Sequence, residues 1–150
     1  MPTYERDPLS NVADAFIKLL RTDTLLAAYN WQEWDSDVDA EMPRAYIAVT
    51  ADAALVEAGG PVMANVEVVL MGKPRREKLS SVMGEIYGMI TDPSLHRNLN
   101  KYTMAPPSGN AASNLVQFYR QAETYSVLQR IEGDIRVRRI SFKIAALMLG

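Results

Sequence analysis

The 150-residue chain contains no cysteine, which excludes disulfides and thiolate metal sites. It has one histidine, His96. A zinc site there would need carboxylates for every other ligand, an unfavourable set, and a Ser-His-Asp triad would have to run through that single ring. No Gly-x-Ser-x-Gly elbow is present. The basic run Arg75-Arg76-Glu77-Lys78 falls at a helix start, where free N–H groups can hold a phosphate, but no Gly-rich loop precedes it. No stretch reaches the roughly 18 consecutive apolar residues of a membrane-spanning helix, and Met1 to Pro8 lack the basic and apolar pattern of a signal peptide. These absences predict a soluble, cytoplasmic protein with no cofactor, no metal, no catalytic residues and no membrane partner.

Hydrophobic residues make up 48% of the chain, enough for a core, and the length fits one domain over residues 1–150. The net charge of −2 is unevenly spread: residues 1–60 carry eleven acidic and four basic side chains, residues 61–150 seven and twelve. Such polarity fits head-to-tail packing of identical subunits, which closes into rings, or charges that interleave on one folded surface.

Asp7-Pro8 is a helix start, with Asp as cap and Pro in the first turn. Leu9, Val12, Ala13, Phe16, Ile17 and Leu20 then form a single apolar stripe, with Asp14 and Lys18 paired on the other side. A short helical turn over 23–29 follows, capped by Thr22. Asn30 to Pro43 breaks the pattern and holds Trp31, Trp34 and five acids, Glu33, Asp35, Asp37, Asp39 and Glu41. Counted from Asp35, the sixth and twelfth positions of a calcium loop are Ala40 and Tyr46 rather than Gly and Glu, so the segment is a solvated acidic loop whose tryptophans cover the core edge. Residues 44–52 and 62–71 read as strands joined antiparallel through Gly59-Gly60-Pro61. In the second strand Val62, Ala64, Val66, Val68 and Leu70 share a face. A long helix starting at Lys73-Pro74 carries the stripe Leu79, Val82, Met83, Ile86, Met89 and Ile90. Gly84 and Gly88 on its flank predict a close backbone approach to the sheet or to another subunit. A shorter helix over 94–100, with His96 as a surface residue, a loop over 103–114 and a short strand over 115–120 complete the middle of the chain.

The C-terminus reads as a long hairpin, 125–132 and 135–149, around Gly133-Asp134. A two-residue loop with Gly first suits a type II′ turn. Ile135 and Val137 set one alternation and Ile140, Phe142, Ile144 and Ala146 the other, so a β-bulge is expected near Arg138-Arg139 to absorb the change of phase. The fold class is α+β: a mostly antiparallel sheet packed by two main helices, with a long C-terminal β-hairpin. Arg130, Arg136, Arg138 and Arg139 are candidate contacts for a neighbouring subunit. With Arg120 and Lys143 they are also candidates for nucleic acid in a small DNA-binding module, although no nucleic-acid-reading motif accompanies them.

This element order resembles that of the tail terminator (tail completion) proteins of tailed bacteriophages and related head–tail joining proteins. The likeness rests on Phe16-Ile17-Lys18-Leu19-Leu20 with Thr22-Asp23-Thr24-Leu25-Leu26, on Pro43-Arg44-Ala45-Tyr46-Ile47-Ala48-Val49, on Val66-Glu67-Val68-Val69-Leu70 running into the helix through Ile90, and on Arg139-Ile140-Ser141-Phe142-Lys143-Ile144. The resemblance implies a virion protein of the tail or neck, assembled in the host cytoplasm as a ring, typically a homohexamer. The ring caps the tail tube, ends its polymerisation and offers a surface for head docking. The implied partners are the protein itself, the tail tube protein and a head–tail connector protein, with DNA only as cargo passing through the lumen. The loop around Glu57, Gly59 and Gly60 would join the hairpin arginines as contact residues. Another connector or tube-associated protein would share the same pattern.

Overall fold

The computed structural model describes residues 8–33, 44–51, 61–72, 79–103 and 116–148. The fold is α+β. Helix α1 (Pro8–Leu20) is followed by a single 3-10 turn (Leu26–Ala28), strands β1 (Trp31–Glu33), β2 (Arg44–Ala51) and β3 (Pro61–Gly72), helices α2 (Leu79–Ile90) and α3 (Leu95–Thr103), and strands β4 (Val116–Phe118), β5 (Glu123–Glu132) and β6 (Ile135–Met148). The sheet runs β1-β2-β3-β6, with β4 and β5 both beside β6 at different heights. Every ladder is antiparallel except β1–β2.

Period-two alternation decides which sheet face is buried. Ile47 of β2, Ala64, Val66, Val68 and Leu70 of β3, and Ile140, Phe142, Ile144 and Ala146 of β6 are aligned by register on one face. All are buried in one core with the three helices. The expected faces of β3 and β6 are therefore those observed. Helix α1 buries Ala15 and Leu19 in addition to its predicted stripe, because it packs against α3 as well as the sheet. Asp14 and Lys18 form the expected i,i+4 pair at 2.9 Å.

Several local expectations are corrected. Thr22 does not cap the 3-10 turn. Its hydroxyl donates back to the Leu19 carbonyl, while the Asp23 carboxylate accepts from the N–H groups of Leu25 and Leu26. Asp7 as cap of α1 and the acidic segment after Glu33, with Trp34, lie outside the described residues. Trp31 is core rather than edge cover, and its indole N–H donates to the Leu26 carbonyl at 2.9 Å. It opens β1, a strand with no alternation to announce it. Among the described residues Gly84 and Gly88 approach no other element: a Cβ at either would meet nothing within 4 Å.

The bulge expected at Arg138-Arg139 is absent. β6 pairs with β3 without interruption from Pro61↔Leu147 to Gly72↔Arg136. Val137 needs no change of phase, because it is buried on the face away from the helices, as is Val69. Both faces of the central strands hide apolar side chains here, so plain alternation satisfies both sets. The register shift falls on β5 instead, between Glu123 and Ser126, where Thr124 has φ +58°. At the hairpin tip Gly133 has φ +61° and Asp134 is not in the positive-φ region, the pattern of a type II′ rather than a type I′ turn.

The outer edge of β4 is closed by a side chain. Asn100 of α3 accepts from the Phe118 N–H at 2.8 Å and donates to the Phe118 carbonyl at 2.7 Å, as a neighbouring strand would. Asn100→Ala removes both bonds and leaves two part-buried backbone groups unpaired. The expected loss is ~2 kcal/mol, or about 4–8 °C in melting temperature for a domain of this size, measurable by circular dichroism.

Candidate functional site

The three helices cover the sheet over β2, β3, β4 and the C-terminal half of β6, and β5 carries several of the exposed large apolar side chains, beside Leu25, Tyr87 and Tyr119 elsewhere. Val127 is 53% exposed, Ile131 57% and Leu128 39%. Register places Val127 beside Ile140 and Ile131 beside Arg136, on the helix-bearing face, and Leu128 beside Arg139 on the other. The hairpin thus shows apolar surface on both sides, unlike a strand that merely roofs its own core. Scattered exposed apolar residues are ordinary; a contiguous two-sided set marks an interaction surface.

The four arginines split by the same register. Arg136 and Arg138 lie on the helix-bearing face, while Arg130 and Arg139 lie on the opposite face with Leu128. Arg139 reaches Glu67 at 3.7 Å. The buried Nε atoms of Arg138 and Arg139 find no hydrogen-bond partner among the described residues. Glu57, Gly59 and Gly60, the other candidate contacts, lie outside the described residues.

The base of β5 is anchored. The Tyr125 hydroxyl lies 2.8 Å from the Ala122 carbonyl and 3.4 Å from that of Ile90, and its ring sits 6.4 Å from that of Phe142. Burial pushes its ionisation above the usual tyrosine range, and the neighbouring Tyr87 adds to the shift. Just before it, Thr124 turns the chain in the left-handed region, which is costly for a β-branched residue. The register shift of β5 against β6 falls at this turn, between Glu123 and Ser126.

On the face away from the helices, a trough of about 390 Å³ crosses the sheet, lined by Asn65, Glu67, Thr124, Ser126, Ser141 and Lys143. Ala48, Val66 and Phe142 complete its lining. His96, expected at the surface, is half-buried, with its Nδ1 unpartnered among the described residues. No group of three or more metal-ligating side chains occurs among the described residues. No described helix is long and apolar enough to cross a membrane.

The hairpin length, its turn and its arginines were legible in the sequence. The edge closure by Asn100 and the two-sided exposure of β5 were not, since both depend on which strands become neighbours. No protein-family model matches the chain, and no curated protein sequence matches it.

Proposed function

We propose that the chain is a structural subunit that assembles with copies of itself into a ring, and that this ring acts at the end of a bacteriophage tail tube. There it ends tube polymerisation and presents a surface to the head–tail connector. The observation that carries the self-assembly reading is the β5–β6 hairpin, whose Val127, Leu128 and Ile131 are exposed on both faces beyond the chain's own core. The phage assignment rests on the resemblance in element order. The partners are the protein itself, the tube protein and the connector, with DNA as cargo, and the mechanism is geometric: a ring that seats on the last tube layer blocks the next one. The division of Arg136 and Arg138 from Arg130 and Arg139 across two sheet faces favours this reading over a DNA-binding module, which gathers its cations on one surface.

Light scattering on the purified protein is expected to show one defined oligomer. Added to polymerising tail tube protein, it is expected to bind tube ends and shorten the tubes, as counted by electron microscopy. A strict monomer at high concentration that leaves tube length unchanged would overturn the proposal.

A further inference from the structure

We infer that the helix-bearing face of the β5–β6 hairpin receives an amphipathic helix of a partner protein, one whose apolar stripe is bordered by carboxylates. This rests on the reading of the hairpin as an interaction surface and names the chemistry of what docks on one side of it.

One face of the sheet is roofed by helices, and the roof stops at the foot of the hairpin. α1 packs on β2 and β4, and α2 on β3 and β6. α2 ends at the foot of β5, where the Tyr125 hydroxyl lies 3.4 Å from the Ile90 carbonyl. Farther along the same face Val127 and Ile131 are each more than half exposed. Tyr87 of α2, itself exposed, stands beside Tyr125. Four exposed apolar side chains therefore form one strip from the end of α2 along β5. Elsewhere on this face the apolar rows are covered by amphipathic helices, and the same kind of cover fits here. Among the described residues a second copy has no such helix to offer: α1 and α2 bury their stripes in their own core, and α3 does so with Leu95 and Leu99.

Charge supplies the other half of the description. Arg136 and Arg138 stand on this face, beside Ile131 and Gln129. From Val127 to Arg138 the two strands place no acidic side chain on it. Among the described residues neither arginine has an ion-pair partner, and the Nε of Arg138 is buried without a hydrogen bond. On the opposite face Arg139 already meets Glu67 at 3.7 Å. A guanidinium held beside apolar surface receives a carboxylate well, because its N–H fork can take both oxygens. Two cations are few for a phosphate backbone, and the aliphatic Val127 and Ile131 gain nothing from one.

The probes are two fluorescently labelled synthetic helical peptides with the same leucine stripe, one bordered by Glu and the other by Lys. In anisotropy titrations the full-length protein is expected to bind the Glu peptide and not the Lys peptide. Arg136→Glu combined with Arg138→Glu, first checked for a wild-type melt, is expected to weaken that binding at least about tenfold, because like charges then face each other. Arg136→Gln with Arg138→Gln serves should the double reversal fold poorly. Val127→Ser with Ile131→Ser is expected to weaken binding as well, while Leu128→Ser, on the other face, leaves it unchanged. Failure to bind the Glu peptide, equal binding of both peptides, or indifference to the arginine and Val127/Ile131 variants overturns the inference. So does binding of phosphatidylserine vesicles or duplex DNA through the same arginines without binding of the Glu peptide. Light scattering separates the two readings. If the arginine variants dissolve the oligomer, the face joins copies of the chain; the helix inference is then overturned while self-assembly stands. A wild-type monomer that binds the Glu peptide supports the helix inference and overturns self-assembly.

Discussion

Deletion of Arg139 is expected to destabilise the protein by roughly 3–5 kcal/mol, the range for leaving a charge buried without its partner. A bulge at this position would predict the opposite: removal of the extra residue would straighten the strand. In the uninterrupted β3–β6 ladder there is no spare residue. One half of β6 must shift by one place and change faces. If the C-terminal half moved, Ile140, Phe142, Ile144 and Ala146 would leave the core, at about 1.5–3 kcal/mol for each large side chain. The hairpin half gives way at lower cost. Arg138 then takes the place of Arg139, and Arg136 the place of Val137, a position only 4% exposed. The long arginine stem can carry its charge outward, which holds the cost to the stated range. Arg139→Ala, by contrast, loses only the 3.7 Å contact with Glu67, in which both side chains are more than a third exposed. Such pairs contribute about 0–1 kcal/mol. Urea melts of the two variants measure the difference. A deletion variant as stable as Arg139→Ala would restore the bulge.

Phe16→Ala is expected to lose about 3–5 kcal/mol and roughly 10 °C in melting temperature. Phe16 is 1% exposed in the middle of α1. Its ring meets Phe118 of β4 edge-on at 6.1 Å and Phe142 of β6 at 5.4 Å. Truncation leaves a cavity where the helix, the closed β4 edge and the central strand meet, and removes two aromatic contacts worth ~0.5–1.5 kcal/mol each beyond their buried area. Leu25→Ala, at a side chain 42% exposed, is the control, with an expected change within about 0.5 kcal/mol. Equal melts for the two variants would mean that α1 does not seat on the sheet through Phe16.

The two variants bear on different parts of β6, Phe16→Ala through its contact with Phe142 and the deletion at Arg139 itself. Phe142 and its even-numbered neighbours hold the chain's own core. Arg139 and Val137 belong to the stretch that leads into the exposed hairpin. Loss of Phe16 should lower stability and assembly together. A hairpin that slips by one residue should displace the exposed Val127, Leu128 and Ile131 as well, so the Arg139 deletion should impair self-association even under conditions where the core remains folded.

Much of this architecture was readable from local pattern. The apolar stripe of α1, the alternation of Ala64, Val66, Val68 and Leu70, the stripe of α2 and the Gly-first turn are short-range signals, set by 3.6- and two-residue periods and by the backbone freedom of Gly133 at φ +61°. Such signals say which side of an element seeks the core. They do not say which elements become neighbours. β1 exists because Trp31–Glu33 pair with Ala45–Ile47, and β4 because Val116–Phe118 pair with Ala146–Met148 and Asn100. Those are contacts between distant residues that no window of the chain contains. The apparent phase break at Arg138 had the same origin. Read along the strand alone, Val137 and Ile140 conflict; in the folded sheet each face at that point buries apolar side chains, and the conflict vanishes. The hairpin itself was determined by the sequence. That Asn100 closes the β4 edge, and that the hairpin arginines divide between two faces, was decided by tertiary pairing, because an edge is a property of the whole sheet.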